Sequence, residues 1–202
     1  MKQIILKYNL EAFSLVILII LMVRFLFCPN LSMEHRIISA YMIAAVLHEF
    51  EEKRVPGGFY ELMAKKFALP AKAACFERAG LCVTLYWTML LAIPSAFPRP
   101  VLLMPLTFLG LFEAFIHTVG IRIHRLHKPY TPGMVTAWVM AAVSVFTIRY
   151  LSAEGLTGLR VYLFGAVLFI LSFLLLETAT IHSFGMTFGD IRRKIQNRDH
   201  RS

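Results

Sequence analysis

Charge is scarce in this sequence. Only 16% of its 202 residues are Asp, Glu, Lys or Arg, against 58% hydrophobic, and the mean hydropathy is +0.66. Soluble domains carry roughly a quarter charged residues, so the shortage argues against an ordinary globular enzyme and for a membrane protein. Cysteine is rare too. Cys28, Cys75 and Cys82 are odd in number and show no CxxC or Cys/His spacing, which excludes a disulfide framework and leaves them as apolar packing thiols. Also missing are HExxH, a Gly-rich phosphate loop and GxSxG, the signatures of common soluble enzymes. An EExxxR pattern, as in membrane CAAX-type proteases, would need Arg at position 56, where Pro56 stands. There is no internal repeat and no low-complexity tract.

What the chain has instead is apolar runs of spanning length, cut by Pro and Gly. The expected fold is all-α: a polytopic membrane helical bundle forming one transmembrane domain over residues 1–202. About six transmembrane helices are expected, at about 12–28, 33–52, 80–97, 101–120, 134–150 and 159–184, followed by a basic, frayed tail over 190–202. No small-residue cleavage site follows the first run, so it reads as a retained helix. One interfacial amphipathic helix is expected at about 58–70, from Phe59, Leu62, Met63, Lys65 and Lys66. Such a helix would cover the mouth of a site beside His48, or serve as a simple linker. Arg24, near the far end of the first span, either snorkels to the interface or acts as a counter-ion to the acidic cluster.

The net charge of +9 would suggest nucleic acid in a soluble protein, but its distribution suggests topology. With six spans and a cytoplasmic N-terminus, 16 of the 21 Lys and Arg fall on the cytoplasmic side, 4 on the other, and Arg24 inside a span. The positive-inside rule then places both termini in the cytoplasm, with the bacterial inner membrane as the expected location and no nucleic-acid partner.

The residues with chemistry lie against this apolar background. His48, Glu51 and Glu52 end the second run; on a helix Glu51 lies about 60° to one side of His48 and Glu52 about 40° to the other. Glu113 and His117, four apart, share a face of the fourth span. Glu177 and His182, late in the sixth, are roughly 140° apart, so only one points inward unless a bulge joins them. The second, fourth and sixth spans all run toward the cytoplasm, so three ionisable groups arrive at one depth. A charge at helix centre costs on the order of 2.5–3.5 kcal/mol on insertion scales. Pairing with histidines, an aqueous cleft or a bound cation would offset that cost, and a cation does so best because it reverses carboxylate repulsion. His124 and His127 sit in a basic loop suited to lipid headgroups or phosphate. Tyr130, before Pro132 and Gly133, either orients a ligand or anchors at the interface.

Two blocks carry a resemblance: HEFEE at 48–52 with PGGF at 56–59, then His117 with YTPGMVTA at 130–137. Together they resemble the bacterial membrane family named for its His-x-x-Glu-Glu motif, over roughly residues 40 to 140. The resemblance implies an integral membrane protein in which these residues matter; the family has no settled reaction. It also leads one to expect Asn four residues before His117, where this chain has Glu113, a potential anionic ligand in place of a neutral amide.

The expected function is a metal-dependent membrane enzyme that hydrolyses or oxidises a hydrophobic, lipid-like small molecule entering from the cytoplasmic leaflet. One or two divalent ions, zinc, iron or manganese, would be held by His48, Glu52, Glu113 and His117, with Glu51, Glu177 and His182 as further candidate ligands. His48, Glu51 and Glu52 are the candidate catalytic residues, Glu51 as general base or bridging ligand. A metal-free acid/base isomerase or terpene-cyclase-like enzyme is the first alternative, and a small cation-binding transporter the second. A homodimer is compatible with so short a bundle.

Overall fold

Pro and Gly cut the chain where the apolar runs end. The computed structural model describes residues 2–67, 69–70 and 72–199, and among them every regular element is a helix. A short α1 (Lys2–Lys7) leads into α2 (Asn9–Phe27), α3 (Met33–Lys53), α4 (Phe59–Phe67), α5 (Ala73–Ala96), α6 (Pro100–Ile123), α7 (Met134–Ala153), α8 (Leu159–Ser183) and α9 (Phe188–Asp199). Ser32 caps α3 by accepting from the His35 N–H at 3.4 Å. Pro100 opens α6, where its missing N–H costs nothing. Gly133 opens α7 at φ +93°, a conformation that favours glycine.

Five helices, α2, α5, α6, α7 and α8, are long and apolar enough to cross a membrane. The sixth expected span, α3, is long enough at 21 residues but not apolar enough, because charged groups occupy both of its ends. It lies inside the bundle, where Ile38, Tyr41, Ala45, His48 and Glu49 are all buried. Helices α2 and α8 carry the apolar exterior, with Leu15, Leu18, Met22, Leu163, Phe164 and Leu171 exposed.

The bundle is tied across α3, α6 and α7. A Cβ on Gly110 would meet Ser144 Oγ and the Met140 carbonyl, so only glycine lets α6 and α7 approach this closely. Ser144 Oγ donates to the Met140 carbonyl at 2.9 Å, which leaves its oxygen to accept from Tyr41 on α3, also at 2.9 Å. These contacts tie the middles of α3 and α6 to the middle of α7.

Several boundaries depart from expectation. Helix α5 begins at Ala73, well before residue 80, because Cys75 and Ala79 are buried and extend its packed face. The tail expected to fray instead forms α9 through Asp199, started by Asp190 accepting from Thr187 N at 2.9 Å and Thr187 Oγ1 at 2.7 Å; residues 200–202 lie outside the described ones. The amphipathic helix is present as α4, shorter than 58–70, and residue 68 lies outside the described ones. Arg24 faces Ser39 and Met42 rather than the acidic cluster. All three cysteines are free.

Candidate metal centre

Helices α3 and α6 each contribute one histidine and one glutamate four residues apart, the spacing that stacks side chains on one face. His48 and Glu52 thereby meet Glu113 and His117. Their ligand atoms all lie within 4.8 Å of one another, with three of the residues buried and Glu113 half-buried, and the group could hold a metal ion. The His117 Nε2 lies 3.1 Å from Glu52 Oε1 and 3.6 Å from Glu113 Oε2; the His48 Nε2 lies 3.6 Å from Glu52 Oε1 and 3.8 Å from Glu113 Oε2. Adjacent ligands on a tetrahedral ion with bonds of about 2.0–2.1 Å would be roughly 3.3 Å apart, so these separations are of the right size.

The hydrogen bonds behind the rings decide what the four groups present. The His48 Nδ1 lies 3.1 Å from the Gly133 carbonyl, which can only accept, and 3.1 Å from Thr136 Oγ1. Thr136 commits its hydroxyl proton to Glu51 Oε2 at 2.5 Å, so toward His48 it too accepts. Nδ1 of His48 therefore carries a proton, and Nε2 is the nitrogen turned toward the other three residues. The same logic holds at His117. Thr131 Oγ1 donates to the His117 carbonyl at 3.0 Å, so it accepts from the His117 Nδ1–H at 3.1 Å. Its Nε2 is buried and faces only the Glu52 and Glu113 carboxylates, with no other partner. Two imidazole Nε2 atoms and two carboxylates thus face one point. The two carboxylates repel unless a metal cation or protons on Nε2 stand among them, and two His with two Glu suit zinc, iron or manganese.

Glu51 is not brought into this group. It caps α7: Oε1 accepts from Val135 N at 3.1 Å and Tyr130 Oη at 2.8 Å, and Oε2 from Thr136 N at 2.8 Å and Thr136 Oγ1. These bonds satisfy N–H groups at a helix start and set the carbonyl that orients His48. Burial, and then the anion it donates to, push the Tyr130 phenol up. Gly133 lies against the centre itself. A Cβ there would stand 2.6 Å from His117 Cε1 and 2.7 Å from Glu52 Cγ.

Helix α4 closes one side. Phe59 stacks obliquely on His117 with ring centroids 5.1 Å apart, and Tyr60 stacks on Phe76 of α5 at 5.9 Å. Beside Glu52 a polar crevice of about 170 Å³ opens between Asn9, Lys53, Gly58, Tyr60 and Gly80. The Tyr60 hydroxyl is buried without a partner; burial and the neighbouring Glu49 and Glu52 keep its phenol protonated.

Other expected residues lie elsewhere. Glu177 is half-buried on α8 and His182 is exposed, and neither joins the four, because a five-residue spacing sends the two side chains apart. His124 ends α6, its imidazole pushed down by burial and by Lys66, and His127 is exposed in the loop. Glu49 went unnoticed in the sequence. It is buried, accepts from Trp87 Nε1 at 2.8 Å and pairs with Lys53 Nζ at 2.5 Å, and Lys53 also donates to the Gly80 carbonyl at 3.4 Å. The Glu49/Lys53 spacing of four was the available signal.

Fold and site together define an all-helical protein with membrane-spanning candidates and a buried His₂Glu₂ group at one end of the bundle. The chain belongs to the family described as protein of unknown function with HXXEE motif, whose model matches residues 39–148. No curated protein and no solved structure matches it. The matched segment contains all four members of the group and also Glu51, Tyr130, Thr131, Gly133 and Thr136.

Proposed function

We propose that the chain is a metal-dependent integral membrane enzyme that hydrolyses or oxidises a lipid-like substrate at the His48/Glu52/Glu113/His117 group. One observation carries this reading: both Nε2 atoms converge on two carboxylates, with their Nδ1 protons already committed to Gly133, Thr136 and Thr131. A bound zinc, iron or manganese ion supplies Lewis-acid polarisation of a substrate oxygen or activation of water, and iron or manganese adds redox chemistry. Thr131, Gly133 and Thr136 hold the imidazoles in register, Phe59 keeps bulk water off His117, and the crevice beside Glu52 admits the polar end of a substrate. Within that crevice Tyr60 offers a neutral hydroxyl as a hydrogen-bond donor. With the buried α3 counted as a sixth crossing, the division of basic residues, 16 against 4, supports a cytoplasmic position for this end of the bundle in a bacterial inner membrane.

The test is a comparison of lipid composition by mass spectrometry after metal-loaded protein is incubated in bacterial-lipid vesicles. Wild type is expected to produce a hydrolysis fragment or an oxygen-shifted species that Glu52→Gln does not. Identical lipid profiles from both would contradict the reading.

The 3.1 Å between His117 Nε2 and Glu52 Oε1 also suits a shared proton, and this supports a second reading as a metal-free acid/base isomerase or terpene-cyclase-like enzyme. That reading expects mass-neutral rearrangement of substrate in the presence of a chelator.

A further inference from the structure

At the end of the bundle away from the metal centre lies a half-buried cation with no acid beside it. Arg24, in the last turn of α2, donates from Nη1 to Ser39 Oγ at 3.0 Å and approaches Met42 Sδ at 3.8 Å. Ser39 Oγ gives its own proton to the His35 carbonyl at 2.8 Å, so it serves Arg24 only as an acceptor. Among the described residues no carboxylate lies within ion-pair distance of the guanidinium. A guanidinium has five N–H donors, and a protein oxygen satisfies one of them here. At membrane depth the rest call for an anionic acceptor or for water.

Leading to this cation is an apolar groove. It has a volume of about 300 Å³ and runs between α2 and α5 over α3, lined by Phe13, Ile17, Ile20, Met42, Leu91 and Ala92 among others. Thr88 and Ser95 also border it, but both hydroxyls are spent within α5, on the Thr84 carbonyl at 2.7 Å and the Leu91 carbonyl at 2.5 Å. Met42 joins the two features, since it lines the groove and its sulfur meets Arg24. On α2 the groove residues Phe13, Ile17 and Ile20 continue at helical spacing to Arg24, so the cation stands at the end of the apolar channel. Ser39 and His48 are nine residues apart on α3, which puts Arg24 roughly 14 Å along the helix from the metal centre.

An apolar slot with an unpaired guanidinium at one end is complementary to one molecule class by shape and charge. We propose that this groove binds an acyl chain of an anionic phospholipid whose phosphate pairs with Arg24. The site is separate from the His/Glu group and does not depend on what that group does.

Native mass spectrometry of the full chain, released from detergent after incubation with phosphatidylglycerol or phosphatidylcholine, tests this. Wild type is expected to retain phosphatidylglycerol at least about five-fold more than phosphatidylcholine, and Arg24→Gln to lose that preference. Ala92→Phe fills the groove from an exposed position while leaving Arg24 in place. It is expected to lower retention of both lipids, and it keeps the test decisive should Arg24→Gln fail to fold. Equal retention of the two lipids by wild type, an undiminished preference in Arg24→Gln, or unchanged retention in Ala92→Phe would each overturn the proposal.

Discussion

The His48 imidazole donates from Nδ1 to the carbonyl of Gly133, 3.1 Å away and 85 residues later in the chain. That bond joins the end of α3 to the start of α7 and turns His48 Nε2 toward Glu52, Glu113 and His117. The two sequence blocks that mark the family are therefore one structure. The first supplies His48 and Glu52, and the second supplies His117 and the turn that orients both imidazoles.

Gly133 is the most demanding position in that turn. Substitution by Ala adds a Cβ at φ +93° and within 2.7 Å of both His117 and Glu52. The left-handed backbone alone costs about 1–2 kcal/mol, and overpacking adds a further ~1–3 kcal/mol. Gly133→Ala should lower the melting temperature measurably and remove bound metal, as read by thermal unfolding and by elemental analysis. A variant with wild-type stability and metal would contradict the geometry.

Glu51 is expected to act on the centre indirectly. Glu51→Gln retains an acceptor for the start of α7 but loses the charge assistance, so metal affinity should weaken by roughly 10–100-fold, as outer partners of metal-bound histidines do. At saturating metal the protein should still load fully. Glu51→Ala leaves Val135 N, Thr136 N and Tyr130 Oη without their acceptor and should also cost about 2–3 kcal/mol of stability. Competitive chelator titration separates the two effects; abolished loading of Glu51→Gln at saturating metal would make Glu51 a ligand after all.

Glu113 should set affinity through its charge. Glu113→Gln removes one carboxylate from a group whose atoms lie within 4.8 Å while keeping nearly the same volume. The expected result is an intact fold with weaker metal binding, by about 10-fold or more. Chelator titration showing unchanged affinity would exclude Glu113 from the ligand set.

The buried Glu49/Lys53 pair should matter for stability more than for metal. Lys53→Met leaves the Glu49 carboxylate with only Trp87 as a partner and should cost roughly 3–5 kcal/mol. Glu49→Leu combined with Lys53→Leu should recover most of that, because no charge is then left buried alone. Denaturant unfolding of the single and double variants checks the sign; a double variant no more stable than the single would oppose it.

Much of this was legible in the sequence because hydropathy and helical spacing are local. Glu113 and His117 had to share a face, and so did His48 and Glu52, so four of the seven proposed ligands could be paired before any fold was known. What spacing could not show is competition for a side chain. Glu51 lies only about 20° further round the helix from His48 than Glu52 does, and only the arrival of the α7 N-terminus, with its open N–H groups, takes it away. Nor could charge scarcity distinguish a lipid-facing span from α3, whose acids are tolerated because protein surrounds them. Glu49 was hidden for a related reason: its partners Trp87 and Lys53 make it structural, and Trp87 lies 38 residues away on another helix.

The central claim is tested most directly by elemental mass spectrometry of detergent-purified, untagged protein, wild type beside His117→Ala. Close to one zinc, iron or manganese ion per wild-type chain is expected, and almost none in the variant, with both folded. Equal metal in the two, or none in a folded wild type supplied with all three ions, would contradict it.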